Sequence, residues 1–536
     1  MSIRAQTISA KEAAELIENN TGLITSGFVG NGFPEFLVIE IERRFLETGE
    51  PKNLDLFFVA GQGDGKEKGL NHFGHEGMIK FVLGAHFGLV PKITRLITEE
   101  KVEAYALPQG VISHLIRAAS GNKPGIFTRV GLGTFVDPRN SAGALNSISK
   151  EKFVELKTID GEEYLFYRTR PYKRIKVALI RGTTADIYGN ITMEKEADTL
   201  ETLSIATLTK NNGGIVIAQV QRIAKAGTLH PQMVRIPGQL VDYIVVSPEE
   251  YHWQTFSEKY NPAYSGEIKI PESVFPKINL NARKIIGRRA ALELKKGAVI
   301  NVGIGMPEYV AAVAGEEGIF DQLIFTVEAG TIGGVPAGGL SFGAAYNPWA
   351  IIDQPYQFDF YHGGGLDIAF LGMAEVDEEG NVNVSKFGSK LPGPGGFIDI
   401  SQNARKVVFC GMMTVGAEIA IKEGKLKIIK EGKKRKFIKK VQHVTFSGKY
   451  AKKFGQEILY VTERAVFRLG DKGLELIEYA PGVDIERDVL SVMDFEPIIK
   501  DPKEMPEFIF SDGLMGLKKR FISEHVNQQT NDNKRT

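Results

Sequence analysis

Of 536 residues only one is cysteine, Cys410, and only two are tryptophan. A lone thiol excludes an intramolecular disulfide framework and a cysteine-rich zinc site, and it fits a reducing cytoplasm. Net charge is also nearly absent: 66 Lys and Arg stand against 65 Asp and Glu, a formal charge of +1. A chain built mainly to bind nucleic acid shows a basic excess, so that class is not expected. Long apolar runs are missing. The longest nearly apolar stretch, Val407 to Ala417, is about 11 residues and too short to cross a bilayer. Met1 to Ala10 lack the basic-then-apolar order of a secretion signal, so neither targeting nor membrane attachment is expected. No Gly-x-Gly-x-x-Gly opens a helix, and no Gly-x-x-x-x-Gly-Lys-Ser/Thr occurs, so the dinucleotide fingerprint and the P-loop are unsupported. His72, His75 and His86 find no Cys or His partner at ligand spacing, and no metal is expected.

Glycine, by contrast, is in excess: 59 of 536 residues, against roughly 7% in average proteins. The glycines cluster in short loops between apolar runs, where a backbone can approach a ligand closely. The length implies two or three domains. An internal repeat shows how they are arranged. Gly30-Asn31-Gly32-Phe33-Pro34-Glu35 and Gly303-Ile304-Gly305-Met306-Pro307-Glu308 each follow an apolar run and precede a helical pattern. Val177 to Ile180 lead to Asp186 and a Gly189-Asn190 turn; Ile368 to Leu371 lead to Glu375 and a Gly380-Asn381 turn. Val59-Ala60-Gly61 is matched by Glu328-Ala329-Gly330. Strands alternating with helices predict an α/β fold of two related domains, each a mostly parallel sheet with flanking helices. The expected bounds are 1–275 and 276–516, with a proline-bearing linker around Pro262 to Lys277 and a polar tail at 517–536.

Three glycine-rich segments are candidates for chemistry. The Gly-x-Gly-x-Pro turns are either tight strand-to-helix turns or sites whose amides hold an anion or oxyanion. Glu328 closes the apolar run Leu323 to Val327, at a position where the first copy has Val59. A carboxylate at the end of a buried strand is costly unless it is paired or used, and ligands of doubly wound sheets sit beyond such strand ends. It is therefore either a structural glutamate bonded to loop amides or a reacting group. Gly393-Pro394-Gly395-Gly396-Phe397 is either a connection or a donor of N–H groups to a carbonyl oxygen or phosphate. Gly339-Leu340-Ser341-Phe342-Gly343 has the spacing of a hydrolase elbow, but no strand directly precedes the serine. Lys422 to Lys440 carry ten Lys or Arg and two Glu, and their alternation reads as the solvated face of a hairpin.

Together these segments resemble a family I coenzyme A transferase in its fused two-domain form, over about residues 8 to 515. Gly65-Lys66-Glu67-Lys68-Gly69-Leu70, Leu107-Pro108-Gln109-Gly110-Val111, Val130 to Arg139 and Arg181 to Asp186 add to the match. The motif reads Glu-Ala-Gly at Glu328, where two-subunit and mitochondrial 3-oxoacid enzymes more often carry Glu-Asn-Gly; this places the chain nearer the bacterial acetate/propionate type. The resemblance implies the CoA-transferase fold, also called NagB/RpiA-like. It implies reversible transfer of CoA from a short-chain acyl-CoA to a small acid such as acetate or propionate, by a ping-pong route through a glutamyl-CoA thioester. Glu328 is then the nucleophile, Gln109 an oxyanion or positioning group, and Gly395 a backbone oxyanion donor. Gly303, Gly305, Asn381, Lys386, Gly393 and Gly396 are candidates for holding CoA, with Lys390 beside them. Acyl-CoA and carboxylates are the expected partners, with no tightly bound cofactor, in a cytoplasmic homo-dimer or homo-tetramer. An acyl-CoA hydrolase on the same scaffold and a non-catalytic ligand sensor are the alternatives.

Overall fold

The computed structural model describes residues 5–271 and 277–522. Short apolar runs bounded by glycine become strands buried on both faces, the environment parallel sheets require. In the first half these are β1 (Gln6–Thr7), β2 (Gly22–Thr25), β3 (Leu54–Phe57), β4 (Ile79–Gly84), β5 (Glu103–Ala106), β6 (Ile175–Arg181), β7 (Ile215–Val220) and β8 (Tyr243–Val246). They form one all-parallel sheet in the order β1-β8-β7-β6-β2-β3-β4-β5. In the second half β9 (Val299–Val302), β10 (Ile324–Thr326), β11 (Ile368–Gly372), β12 (Lys406–Cys410) and β13 (Glu457–Val461) pair in parallel in the order β10-β9-β11-β12-β13. Further strands extend this set on both sides to ten, each antiparallel to its inner neighbour except the outermost, Ile498–Glu504, which pairs in parallel. The order β3-β2-β6-β7-β8 of the first half is the same path through the sheet, so the repeat read in the sequence is a repeat of topology.

The copies differ where ligands would approach. Val302 runs directly into Gly303, whereas Ser26, Gly27, Phe28 and Val29 separate the end of β2 from Gly30. Helix α1 (Glu35–Thr48) and helix α3 (Glu308–Glu316) follow, with Pro34 and Pro307 as their N-caps. In chain order between them lies α2 (Gln109–Ser120), and after them α4 (Phe397–Asn403).

The two Gly-Asn turns are structural. Asn190 N–H and its side-chain amide both donate to Asp186, at 3.0 Å, while its oxygen accepts from Gly238 N–H at 2.9 Å. Asn381 repeats this with Asp377 at 3.0 and 3.1 Å and with Gly448 N–H at 2.9 Å. The acidic counterpart of Asp186 is thus Asp377 and not Glu375, because the bonding fixes the spacing to the asparagine. The lysine-rich run does form a hairpin, Glu418–Lys422 with Lys425–Lys430.

One hydrophobic core is built almost wholly from residues of the first half and a second from residues 285–521. Val327, Ala329 and Ile398 of the second half pack into the first core. The Glu328 turn is therefore anchored in the opposite half, which sets the site at the junction. The expected border at 275/276 falls at residues 272–276, outside the described residues, as do residues 523–536. The polar tail expected from 517 begins with packed side chains instead: Leu517 and Phe521 are buried in the second core. Among the described residues no helix is long and apolar enough to cross a membrane.

Candidate active site

Strand β10 ends in a tight turn. Val327 N–H donates to Thr331 O at 3.0 Å and Gly330 N–H to Val327 O at 3.0 Å, so Glu328 and Ala329 are its central residues. Gly330 holds φ +127° and a β-carbon there would stand 2.0 Å from Ile352 O. Only glycine closes this turn. The turn presents Glu328 to a cavity of about 440 Å³ between the two halves. Phe28, Val29, His86 and Gln109 wall it from the first half; Asn301, Gly303, Phe342, Gly395 and Gly396 wall it from the second. A larger surface depression, about 520 Å³ and walled by Arg129, His362 and Arg405, has no carboxylate in its lining.

Glu328 is only 7% exposed. Burial pushes its carboxyl above the usual carboxylate range, and its own backbone amide and Asn301 partly offset that rise. Asn301 Nδ2 donates to Glu328 Oε2 at 3.3 Å. Asn301 also reaches Tyr361 at 3.4 Å, and Tyr361 donates to Thr326 Oγ at 2.8 Å, which holds the amide in place. Asn301→Ala removes a bond that favours the ionised form. The sign follows: a carboxyl already raised by burial rises further, so less carboxylate is available at a given acid pH. The acid limb of the pH–rate profile is expected to lie above the ordinary glutamate value in the parent and higher still in the variant. Single-turnover acylation between pH 4 and 8, a range chosen to bracket roughly the carboxylate and histidine values, measures it.

Gln109 opens α2, and its backbone N–H donates to Gly395 O at 3.0 Å. Gly110 N–H donates to Asp399 Oδ2 at 3.1 Å, tying α2 to α4 across the junction. The Gln109 side-chain NH2 is buried and has no partner among the described residues. An unpartnered buried donor facing a cavity costs stability unless a ligand oxygen meets it.

The other sequence candidates divide. Gly395 lines the cavity, but its N–H donates to Ala85 O at 2.9 Å; this corrects its expected role as an oxyanion donor. The adjoining Gly396 amide has no backbone partner among the described residues, and a β-carbon at Gly396 would lie 3.5 Å from Glu328 Cγ. Gly393 also lines the cavity, its N–H held by Ser385 O at 3.0 Å, and Gly303 lines it with its N–H donating to Phe370 O at 2.9 Å and Leu371 Cδ2 3.3 Å from where a β-carbon would stand. Gly305 lies outside the cavity lining, close to the Glu308 carboxylate. Asn381 belongs to the turn described above. Lys386 Nζ donates to Leu145 O at 3.2 Å and, with Lys390, walls a separate depression. The first glycine turn is closed: a β-carbon at Gly30 would stand 2.5 Å from Phe256. Ser341 lies on a 3-10 turn and shares a hydrogen bond with Thr255 at 2.9 Å, with no elbow geometry. His72 pairs with Glu35 at 3.1 Å and His75 with Glu42 at 2.6 Å. Cys410 is buried in the second core, and burial pushes its thiol up.

Asn301 was not singled out from the sequence, and His86 was weighed there only as a metal ligand and set aside. A polar residue in the buried apolar strand Val299–Val302 is the same signal that marked Glu328, so Asn301 was legible. His86 was not: Gly61 and Gly88 from separate segments make room for its ring. Burial holds His86 near pKa 4, so it meets the cavity as a neutral imidazole.

A model of the family described as coenzyme A transferase matches residues 7–247 and 283–490. The caffeate CoA-transferase of Acetobacterium woodii is 46% identical over 520 residues, covering 96% of this chain and 99% of that protein. The acetate CoA-transferase YdiF of Escherichia coli (strain K12) is 44% identical over 518 residues, covering 96% and 97%. The crystal structure of the acyl-CoA transferase YdiF from E. coli O157:H7, a thioester complex with CoA, superposes with a TM-score of 0.90 at 43% identity, covering 96% of this chain and 98% of that one.

Proposed function

The chain belongs to the coenzyme A transferase family, and from that premise we propose that Glu328 is its covalent nucleophile. The single observation that carries the proposal is a buried, weakly paired carboxylate held by a glycine turn at the junction cavity. The enzyme is a CoA-transferase, and CoA enters as a substrate thioester.

The Glu328 carboxylate attacks the thioester carbonyl of the acyl-CoA. The C–S bond breaks, giving an acyl-glutamyl anhydride and CoA thiolate. The thiolate attacks the glutamyl carbonyl, the acid leaves as carboxylate, and a glutamyl-CoA thioester remains. An incoming carboxylate reverses these steps. The route divides one difficult exchange into easier ones. Two features of this chain serve it. Partial desolvation strips water from the nucleophile, while the hydrogen bond from Asn301 favours its ionised form. In this reading the Gln109 amide and the Gly396 N–H meet the oxyanion that develops on the thioester oxygen, a role supported by their lack of another partner among the described residues. The apolar walls Phe28, Val29 and Phe342 limit water at the anhydride, which hydrolysis would destroy.

The small apolar cavity and the acetate CoA-transferase relative support acetate, propionate or a similar short acid as acceptor. The remaining parts of the proposal are an absence of tightly bound cofactor, a cytoplasmic homo-dimer or homo-tetramer, and a division of the chain near residue 275. Incubation with acyl-CoA followed by borohydride tests the nucleophile: reduction of the thioester is expected to mark Glu328 in peptide mass spectrometry. A mark on another carboxylate overturns it.

A further inference from the structure

The first glycine turn is closed by Phe256, yet its central residue is polar and wholly buried. Asn31 is fixed by its backbone: its N–H donates to Phe28 O and its carbonyl accepts from Phe28 N–H, both at 2.9 Å. Its side chain reaches two distant segments. Asn31 Nδ2 donates to Asp198 Oδ2 at 2.8 Å and, across the junction, to Phe342 O at 3.3 Å. Phe28 and Phe342 both wall the Glu328 cavity, with ring centroids 5.6 Å apart. Asn31 therefore ties that wall to Asp198.

This pair leaves two acceptors over. Asp198 Oδ1 and Asn31 Oδ1 are buried, and neither has a donor among the described residues. Orphaned acceptors in a protein interior are costly. Both stand on side chains already joined by one hydrogen bond, and a single proton satisfies both. A carboxylic acid and a primary amide meet as a planar pair: the amide N–H donates to one acid oxygen, and the acid O–H donates back to the amide oxygen. The second amide hydrogen is left for Phe342 O.

The surroundings favour that proton. Asp198 is 1% exposed, and no cation among the described residues pairs with it. Glu196 is committed to Arg181 at 3.1 Å and to His252 at 3.4 Å. Glu258 accepts from Tyr264 at 2.6 Å, and Asp353 from Thr199 at 2.7 Å. Burial first, then the charges of Glu328 and Glu196, push the Asp198 carboxyl up to about 8 against the bond from Asn31.

We infer that Asp198 is a positioning residue that works as a neutral acid: its O–H closes a two-bond pair with the Asn31 amide, which holds the Phe342 wall and keeps a second negative charge away from Glu328. The inference rests on the nucleophile reading of Glu328. It accounts for a buried polar side chain at a glycine turn that takes no ligand, and for both orphaned acceptors.

Infrared difference spectra of the full chain test the proton directly. Between about pH 6 and 10 ordinary aspartates are already ionised. A protonated-carboxyl band is expected to fade across that range in the parent, and its Asp198 component to be missing in Asp198→Asn. That variant supplies an uncharged amide able to make both bonds. It is expected to transfer CoA at neutral pH at a rate close to the parent's, and to lose the alkaline fall in kcat/KM that the parent shows above about 8. The sign for stability follows. The unfolded carboxyl ionises lower than the folded one, so the parent weakens as pH rises from about 4 toward 8, and Asp198→Asn does not. Its Tm at neutral pH should equal or exceed the parent's. Asp198→Leu fills the space but makes neither bond, and transfer is expected to fall roughly tenfold or more. An undiminished band or an unchanged alkaline limb in Asp198→Asn overturns the inference. So does a loss in Asp198→Asn as large as in Asp198→Leu, or full transfer by Asp198→Leu. Failure of the nucleophile reading is separate, since it moves the borohydride mark and leaves the infrared band in place.

Discussion

Replacing Glu328 with alanine or glutamine is expected to lower CoA transfer by roughly 10⁴-fold or more, the scale seen when a covalent nucleophile is removed. No other carboxylate among the described residues walls the cavity, so nothing stands ready to take its place. Exchange of isotopically labelled acetate into acetyl-CoA measures the loss. The fold is expected to survive. A buried carboxylate costs desolvation that its own backbone amide and the 3.3 Å bond from Asn301 offset only in part. Glu328→Gln keeps the shape and relieves that cost, so its Tm should equal or exceed that of the parent. Undiminished exchange by either variant removes Glu328 from the mechanism. Lost exchange with a collapsed Tm in both variants refutes the claim that the carboxylate serves chemistry at the expense of stability.

The second large effect is expected at Gln109. Gln109→Ala deletes the buried amide that has no partner among the described residues. If that amide meets the oxyanion, kcat falls about 10²- to 10³-fold, as for loss of one such donor elsewhere. KM for acyl-CoA is expected to move far less, because the charge it meets exists only as the reaction proceeds. The backbone bond from Gln109 N–H to Gly395 O, 3.0 Å, is independent of the side chain and keeps α2 in register. A fall of less than tenfold in kcat, measured with saturating acyl-CoA and acetate, sinks the oxyanion role.

How far the site was legible depended on whether its signal was local. Glu328 could be read because a charged residue ends an apolar strand, and a buried charge needs a reason. Asn301 carries the same signal two residues before Gly303. Gly395 and Gly396 could not be separated in the sequence, since adjacent glycines have the same local propensity. Only the position of Ala85 O decides that one amide is spent and the other is not. The sequence reading paired Glu375 with Asp186, although both the distance from the strand end and the four-residue spacing to the asparagine point to Asp377. Lys386 was a reasonable cation by composition, yet its ammonium is bound to Leu145 O.

The sequence by itself determined the α/β class, the internal repeat and the resemblance to a family, and it marked Glu328 as the carboxylate that needs a reason. The class and the repeat rest on periodicity and spacing along one chain, where burial physics acts directly, and the family and the role of Glu328 rest on a resemblance of motifs. The tertiary structure alone decided which copy of the glycine turn is open. Phe256 closes Gly30, while Gly303, directly after Val302, lines the cavity. It also decided that the site draws on both halves: Gln109 and His86 come from one, Glu328 and Asn301 from the other. Such meetings depend on how two sheets pack across a junction, through contacts hundreds of residues apart that no local pattern encodes.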